Sequence, residues 1–179
     1  VSRSDGKGLR QLTDDAFRDR HPVFSPDGRR LAFHSDRSGK YEIWTIAIDG
    51  SNLTQLTKTT GDTIIEPLWS PDGKRISVNT GNVASILVLD EKGAVARNQP
   101  IPNPDAQTFA FPLGWSPDGK RLLCSLHRLP DRVSIGLVFY FPESNTLSEP
   151  IRGVTTRGLA RRGSFLDGRM APDFVVPDR

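Results

Sequence analysis

Short runs of alternating apolar and polar residues fill this chain, and turn-forming clusters cut each run off. Leu31 and Phe33, Ile76 and Val78, and Leu122 and Cys124 stand at alternate positions of three such runs. A period of two marks a strand with one face turned to a core. No stretch carries the 3.6-residue period of a long helix. The pattern predicts an all-β chain, with Cys124 a packed core thiol.

One tetrapeptide precedes every run. Ser25-Pro26-Asp27-Gly28 returns as Ser70-Pro71-Asp72-Gly73 and Ser116-Pro117-Asp118-Gly119, with a worn copy at Phe165-Leu166-Asp167-Gly168. The aspartates are spaced 45, 46 and 49 residues apart. An aromatic (Phe24, Trp69, Trp115) precedes each intact copy and two basic residues follow it. A second echo keeps nearly the same phase: residues 5–13 match residues 49–57. Proline presets a turn's φ, aspartate bonds back to nearby N–H groups, and glycine accepts the left-handed position. The recurrence of the aspartate assigns it to the turn, since one catalytic carboxylate needs no further copies.

The best-preserved unit predicts strands at 21–25, 30–35, 41–48 and 53–57, and the next unit begins at Pro67. Four short antiparallel strands recurring at this period are the signature of a β-propeller blade. The chain reads as a single propeller segment: a partial blade over 1–13, with residues 9–13 its outer strand, then blades 21–57, 67–98 and 112–151, and a degenerate partial blade 155–179. Propellers close with about four to eight blades. Three arrangements satisfy that: a fragment of a longer propeller, two or more copies completing a ring, or a compact closure that uses the frayed ends.

Residues 21–33, then Ser35-Asp36-Arg37-Ser38-Gly39 and Ile43-Trp44, resemble the WD40-like repeat of the TolB-type β-propeller family. The resemblance is strong over residues 1–80, good around 110–126 and poor after about 150. It implies a bacterial, periplasmic or otherwise extracytoplasmic scaffold that binds a protein or peptide without catalysis. It also leaves room for an enzyme's propeller portion: the gating domain of a prolyl-oligopeptidase-like peptidase, or a glycan-acting lyase or hydrolase. Fold alone does not choose between them.

Composition narrows the chemistry. With 179 residues, 36% of them hydrophobic, one cysteine and three histidines, the chain has no disulfide framework and little material for a metal site. Neither a metal nor a cofactor is expected. A net charge of +3 is too small to demand nucleic acid. No run is long enough to span a bilayer as a helix. No Gly-x-Ser-x-Gly elbow occurs, so the peptidase domain that often accompanies such propellers is not expected in this chain. With no other catalytic constellation in the sequence, catalytic residues are predicted to be none. Candidate chemistry therefore falls on the loops of one rim, where a rigid scaffold concentrates binding residues. The predicted partner-binding positions are Arg18, Arg20, His21, Arg37, Glu66, Phe109, Arg157 and Arg161.

Overall fold

The computed structural model describes residues 1, 8–59 and 64–151. Its strands form three four-stranded antiparallel sheets, each meandering in chain order. The first sheet contains β1 (Asp19–Phe24), β2 (Arg30–Ser35), β3 (Glu42–Ala47) and β4 (Thr54–Gln55). In the second are β5 (Ile64–Trp69), β6 (Arg75–Thr80), β7 (Val83–Leu89) and β8 (Val95–Pro100). The third has β9 (Thr108–Trp115), β10 (Leu122–Arg128), β11 (Val133–Phe141) and β12 (Thr146–Leu147). No helix occurs among the described residues. These are propeller blades, as the repeat predicts. One compact unit is built on the first two sheets and another on the third.

Each repeated tetrapeptide closes the hairpin between a sheet's first two strands, and the closure is a network rather than a bare turn. Ser25 Oγ donates to Asp27 Oδ1 at 2.6 Å and accepts from the Arg30 N–H at 2.9 Å. Asp27 Oδ1 also accepts the Arg29 N–H at 3.0 Å. The same bonds recur at Ser70, Asp72, Lys74 and Arg75, and again at Ser116, Asp118, Lys120 and Arg121. Gly28, Gly73 and Gly119 adopt φ of 67°, 66° and 68°, the left-handed region that glycine enters without strain. Bonds from the serine hydroxyl, then from a backbone N–H, hold Asp27 and Asp118 below the usual carboxylate range.

The serine is the hub of this turn, a role the tetrapeptide alone did not disclose. Ser70 is fully buried. Ser70→Ala strips the Arg75 N–H and the Asp72 carboxylate of a partner, so urea unfolding is expected to show a loss of about 1–3 kcal/mol. An unchanged midpoint would remove the serine from the account of the turn.

Apolar faces pack in two layers within the first unit. Ala32, Ile43 and Leu56 of the first sheet meet Trp69, Ile76, Val78, Leu87 and Leu89 of the second. On the far face of the first sheet, Leu31, Phe33 and Ile46 are covered by Val1, Leu12 and Trp44. Residues 9–13, expected as an outer strand, form no strand, although Leu12 still packs there. In the third sheet Cys124 is fully buried, and burial pushes its thiol above the ordinary range. A thiol held protonated is inert, in keeping with a packing role.

Candidate functional site

The first two sheets share an irregularity at the same place. In β1 the register moves from Arg20 opposite His34 to Val23 opposite Ala32, leaving His21 and Pro22 in a bulge. In β5 it moves from Ile65 opposite Asn79 to Leu68 opposite Ser77, leaving Glu66 and Pro67 in the matching bulge. Bulges re-aim side chains at strand ends, and here they bring two repeat-equivalent residues face to face. His21 Nδ1 donates to Glu66 Oε1 at 2.8 Å, across 45 residues of sequence. Both side chains are about half exposed, at 47% and 56%.

His21 reaches this position at φ 50°, in the left-handed region and directly before a proline. Both circumstances disfavour the conformation, at a cost of order 1–3 kcal/mol that the surrounding contacts must offset. Strain of this kind gathers at sites where a side chain has to be held in one place.

Behind His21 lies His34, the two rings stacked with centroids 4.8 Å apart. His34 is 7% exposed, and its other neighbour, Tyr41, meets it edge-on at 6.0 Å. Arg20 sits over the Tyr41 ring at 5.3 Å. Burial first, and then the positive field of His21, lower the His34 pKa to about 4. An unfolded histidine titrates near 6.5. Between those values the unfolded chain binds the extra proton, so stability falls as pH drops from about 6.5 to 4. The loss expected over that window is of order 1–2 kcal/mol, allowing for solvent screening at the rim. Chemical denaturation at stepped pH checks this, and His34→Gln should flatten the slope; an unaltered slope in the variant would place the titration elsewhere.

Arg37 occupies a different environment from the open rim position that its loop suggests. Its side chain is only 6% exposed. The guanidinium makes two bonds to Asp19, at 2.9 and 3.0 Å, a third to Ser35 Oγ at 2.9 Å, and an ion pair with Asp15 at 3.5 Å. The rings of Phe33 and Trp44 lie 5.5 and 5.2 Å from it. Burial pushes the Asp19 carboxyl up, but bonds from Ser35 and Thr13 and the bond and charge of Arg37 outweigh it, leaving the pKa lowered. Nearby, the fully buried Glu42 accepts from Thr57 Oγ at 2.5 Å, the Thr59 N–H at 2.7 Å and Thr59 Oγ at 2.9 Å.

The structure therefore brings Arg20, His21 and Glu66 together and adds His34 and Tyr41. Arg18 is exposed on the same rim, where its backbone N–H donates to Asp36 at 2.8 Å. Phe109 is 3% exposed and belongs to the interior of β9. Arg157 and Arg161 lie outside the described residues. One signal for the His21–Glu66 pair was present in the sequence: both precede a proline and stand four residues before a repeat serine.

A second constellation lies in the third sheet. Ser125 Oγ and His127 Nε2 are 2.7 Å apart, and His127 Nδ1 is 3.0 Å from the Arg132 carbonyl. A carbonyl only accepts, so Nδ1 carries the hydrogen and Ser125 donates to Nε2. The rings of Phe109 and Phe111 flank the imidazole at 5.4 and 5.7 Å. Ser125 and His127 alternate on β10, two residues apart on one face. That spacing is the sequence signal for the pair.

Among known proteins, the Tol-Pal system protein TolB of Anaeromyxobacter dehalogenans is 36% identical over 78 residues, covering 42% of this chain and 18% of its own length. An oligogalacturonate lyase from Vibrio parahaemolyticus superposes with a TM-score of 0.63 at 18% identity, over 79% of this chain and 42% of its own. TolB from Acinetobacter baumannii superposes with a TM-score of 0.54 at 19% identity, over 84% of this chain and 36% of its own. The chain thus spans less than half the length of each, and at such identities the superpositions speak for fold alone. The family model for the TolB β-propeller domain matches residues 1–100. With its repeat, its bladed sheets and this match over more than half its length, the chain belongs to the TolB β-propeller domain family.

Proposed function

We propose that this chain is a non-catalytic propeller scaffold whose rim, at the junction of the first two sheets, binds a protein or peptide segment. The observation that carries the reading is the bridge between His21 and Glu66, held at an exposed edge by two matching bulges and a left-handed His21. Rigid, strained and half-exposed polar groups suit recognition of a partner better than packing. The likeness to a Tol-Pal system protein, the TolB of Anaeromyxobacter dehalogenans, favours the same reading. An extracytoplasmic location belongs to this proposal, as does a ring completed by further blades or by a second copy.

Fluorescence-labelled peptide libraries of defined charge test it on the full chain. Saturable binding that weakens in Arg20→Gln is expected. Turnover of oligogalacturonate or of peptide substrates by the isolated chain would overturn it.

A second reading, an enzyme's propeller, is favoured by the Ser125–His127–Arg132 array, which has the order of nucleophile, base and orienting acceptor. Labelling of Ser125 by a fluorophosphonate, lost in Ser125→Ala, would support it. An unlabelled chain would leave the array a structural pair.

A further inference from the structure

Two buried atoms at the corner behind His21 have no hydrogen-bond partner among the described residues: His34 Nε2 and Tyr41 Oη. Buried polar groups are nearly always satisfied, so an orphaned pair in one place calls for a reason. The corner also holds a cation without a counterion. Arg20 lies over Tyr41, and among the described residues no carboxylate stands within ion-pair distance of it. The acids around it are already engaged. Arg37 binds Asp15 and Asp19, the Arg18 N–H binds Asp36, and His21 binds Glu66.

A guanidinium, a phenol and a neutral imidazole with hydrogen on Nε2 are all donors. The group that accepts from several donors and also neutralises one positive charge is a carboxylate. We infer that Arg20, His34 and Tyr41 form a carboxylate subsite of the rim, seating an aspartate or glutamate side chain, or the terminal carboxylate, of the bound segment. This rests on the binding reading above and specifies its chemistry. Glu66 opposes the ligand across the same corner, restrained by its bond to His21; removing its charge while keeping that bond should strengthen binding.

Calorimetric titration of the full chain with four octapeptides tests the subsite: a Glu-rich peptide capped at both ends, its capped Gln counterpart, the Gln peptide with a free C-terminus, and a capped Lys-rich peptide. Binding about tenfold tighter than the capped Gln peptide is expected from the Glu-rich probe if side chains are the source, or from the free-ended probe if the terminus is. Tyr41→Phe should weaken the preferred acidic probe about three- to tenfold while leaving the melting temperature unchanged or raised, since the lost hydroxyl has no partner among the described residues. Glu66→Gln should bind that probe at least as tightly as the natural chain.

Equal affinity for all four peptides, a preference for the Lys-rich one, or unaltered binding by both Tyr41→Phe and Arg20→Gln would overturn the subsite and leave the binding reading standing. Failure of every peptide to bind would overturn the binding reading, and the subsite with it.

Discussion

Arg37→Ala is expected to lower the unfolding free energy by about 2–4 kcal/mol, through the loss of several charge-assisted bonds together with the packing of a covered side chain. The guanidinium is nearly covered and answers Asp19, Asp15 and Ser35 at once, between the rings of Phe33 and Trp44. Truncation takes a charged partner from Asp19, which keeps its bonds from Ser35 and Thr13, and uncovers the Phe33 and Trp44 rings. Arg37→Lys should recover only part of the loss, because a single ammonium nitrogen cannot serve Asp19, Ser35 and Asp15 at once, as the three separate nitrogens of the guanidinium do. Urea unfolding of the three proteins decides the matter. A loss under about 1 kcal/mol in the alanine variant would match a surface ion pair instead.

Glu42→Ala should be comparably damaging, at about 3 kcal/mol. The carboxylate is 1% exposed and accepts from Thr57 Oγ, the Thr59 N–H and Thr59 Oγ. Thr57 Oγ in turn accepts the Ile43 N–H at 2.8 Å, so the network fastens residues 57–59 to the third strand. Losing the carboxylate takes an acceptor from several donors at once and removes the tie. Glu42→Gln keeps the shape with one acceptor fewer, and should fall between the two. Hydrogen exchange offers a second readout: amides of residues 55–59 should lose protection before those of β2. Uniform protection in the alanine variant would mean that the network carries no local weight.

Much of the fold was legible in the sequence because turns are local. The Pro-Asp-Gly triplets fix the hairpins through φ preferences and short-range bonds, and the alternation of Leu31 with Phe33 or Ile76 with Val78 marks the strands, but not the single buried face it implied. Ala32, His34, Ser77 and Asn79 between them are buried too, because the central strands of each sheet are covered on both sides. The site was harder to read, because its determinants are long-range. Arg37 looked like a rim cation beside a turn, yet Asp15 and Asp19, about twenty residues earlier, fold over and bury it. Phe109 follows a Pro-rich stretch that reads as loop, but Thr108 already opens β9 and the ring packs inward against His127. The matching positions of His21 and Glu66 could be read from the repeat. The stacking of His34 on His21 could not, since it depends on how the β1 bulge turns His21, nor could the unpartnered hydroxyl of Tyr41, which depends on side chains from separate strands.

Amide chemical-shift mapping of the isotope-labelled full chain, titrated with the capped Glu-rich and free-ended Gln octapeptides, locates the binding surface residue by residue. Saturating shifts centred on residues 18–21, 34, 41 and 66, with the third sheet quiet, are expected. Shifts gathered around Ser125 and His127, or none at any residue with either peptide, would contradict a binding rim at the junction of the first two sheets.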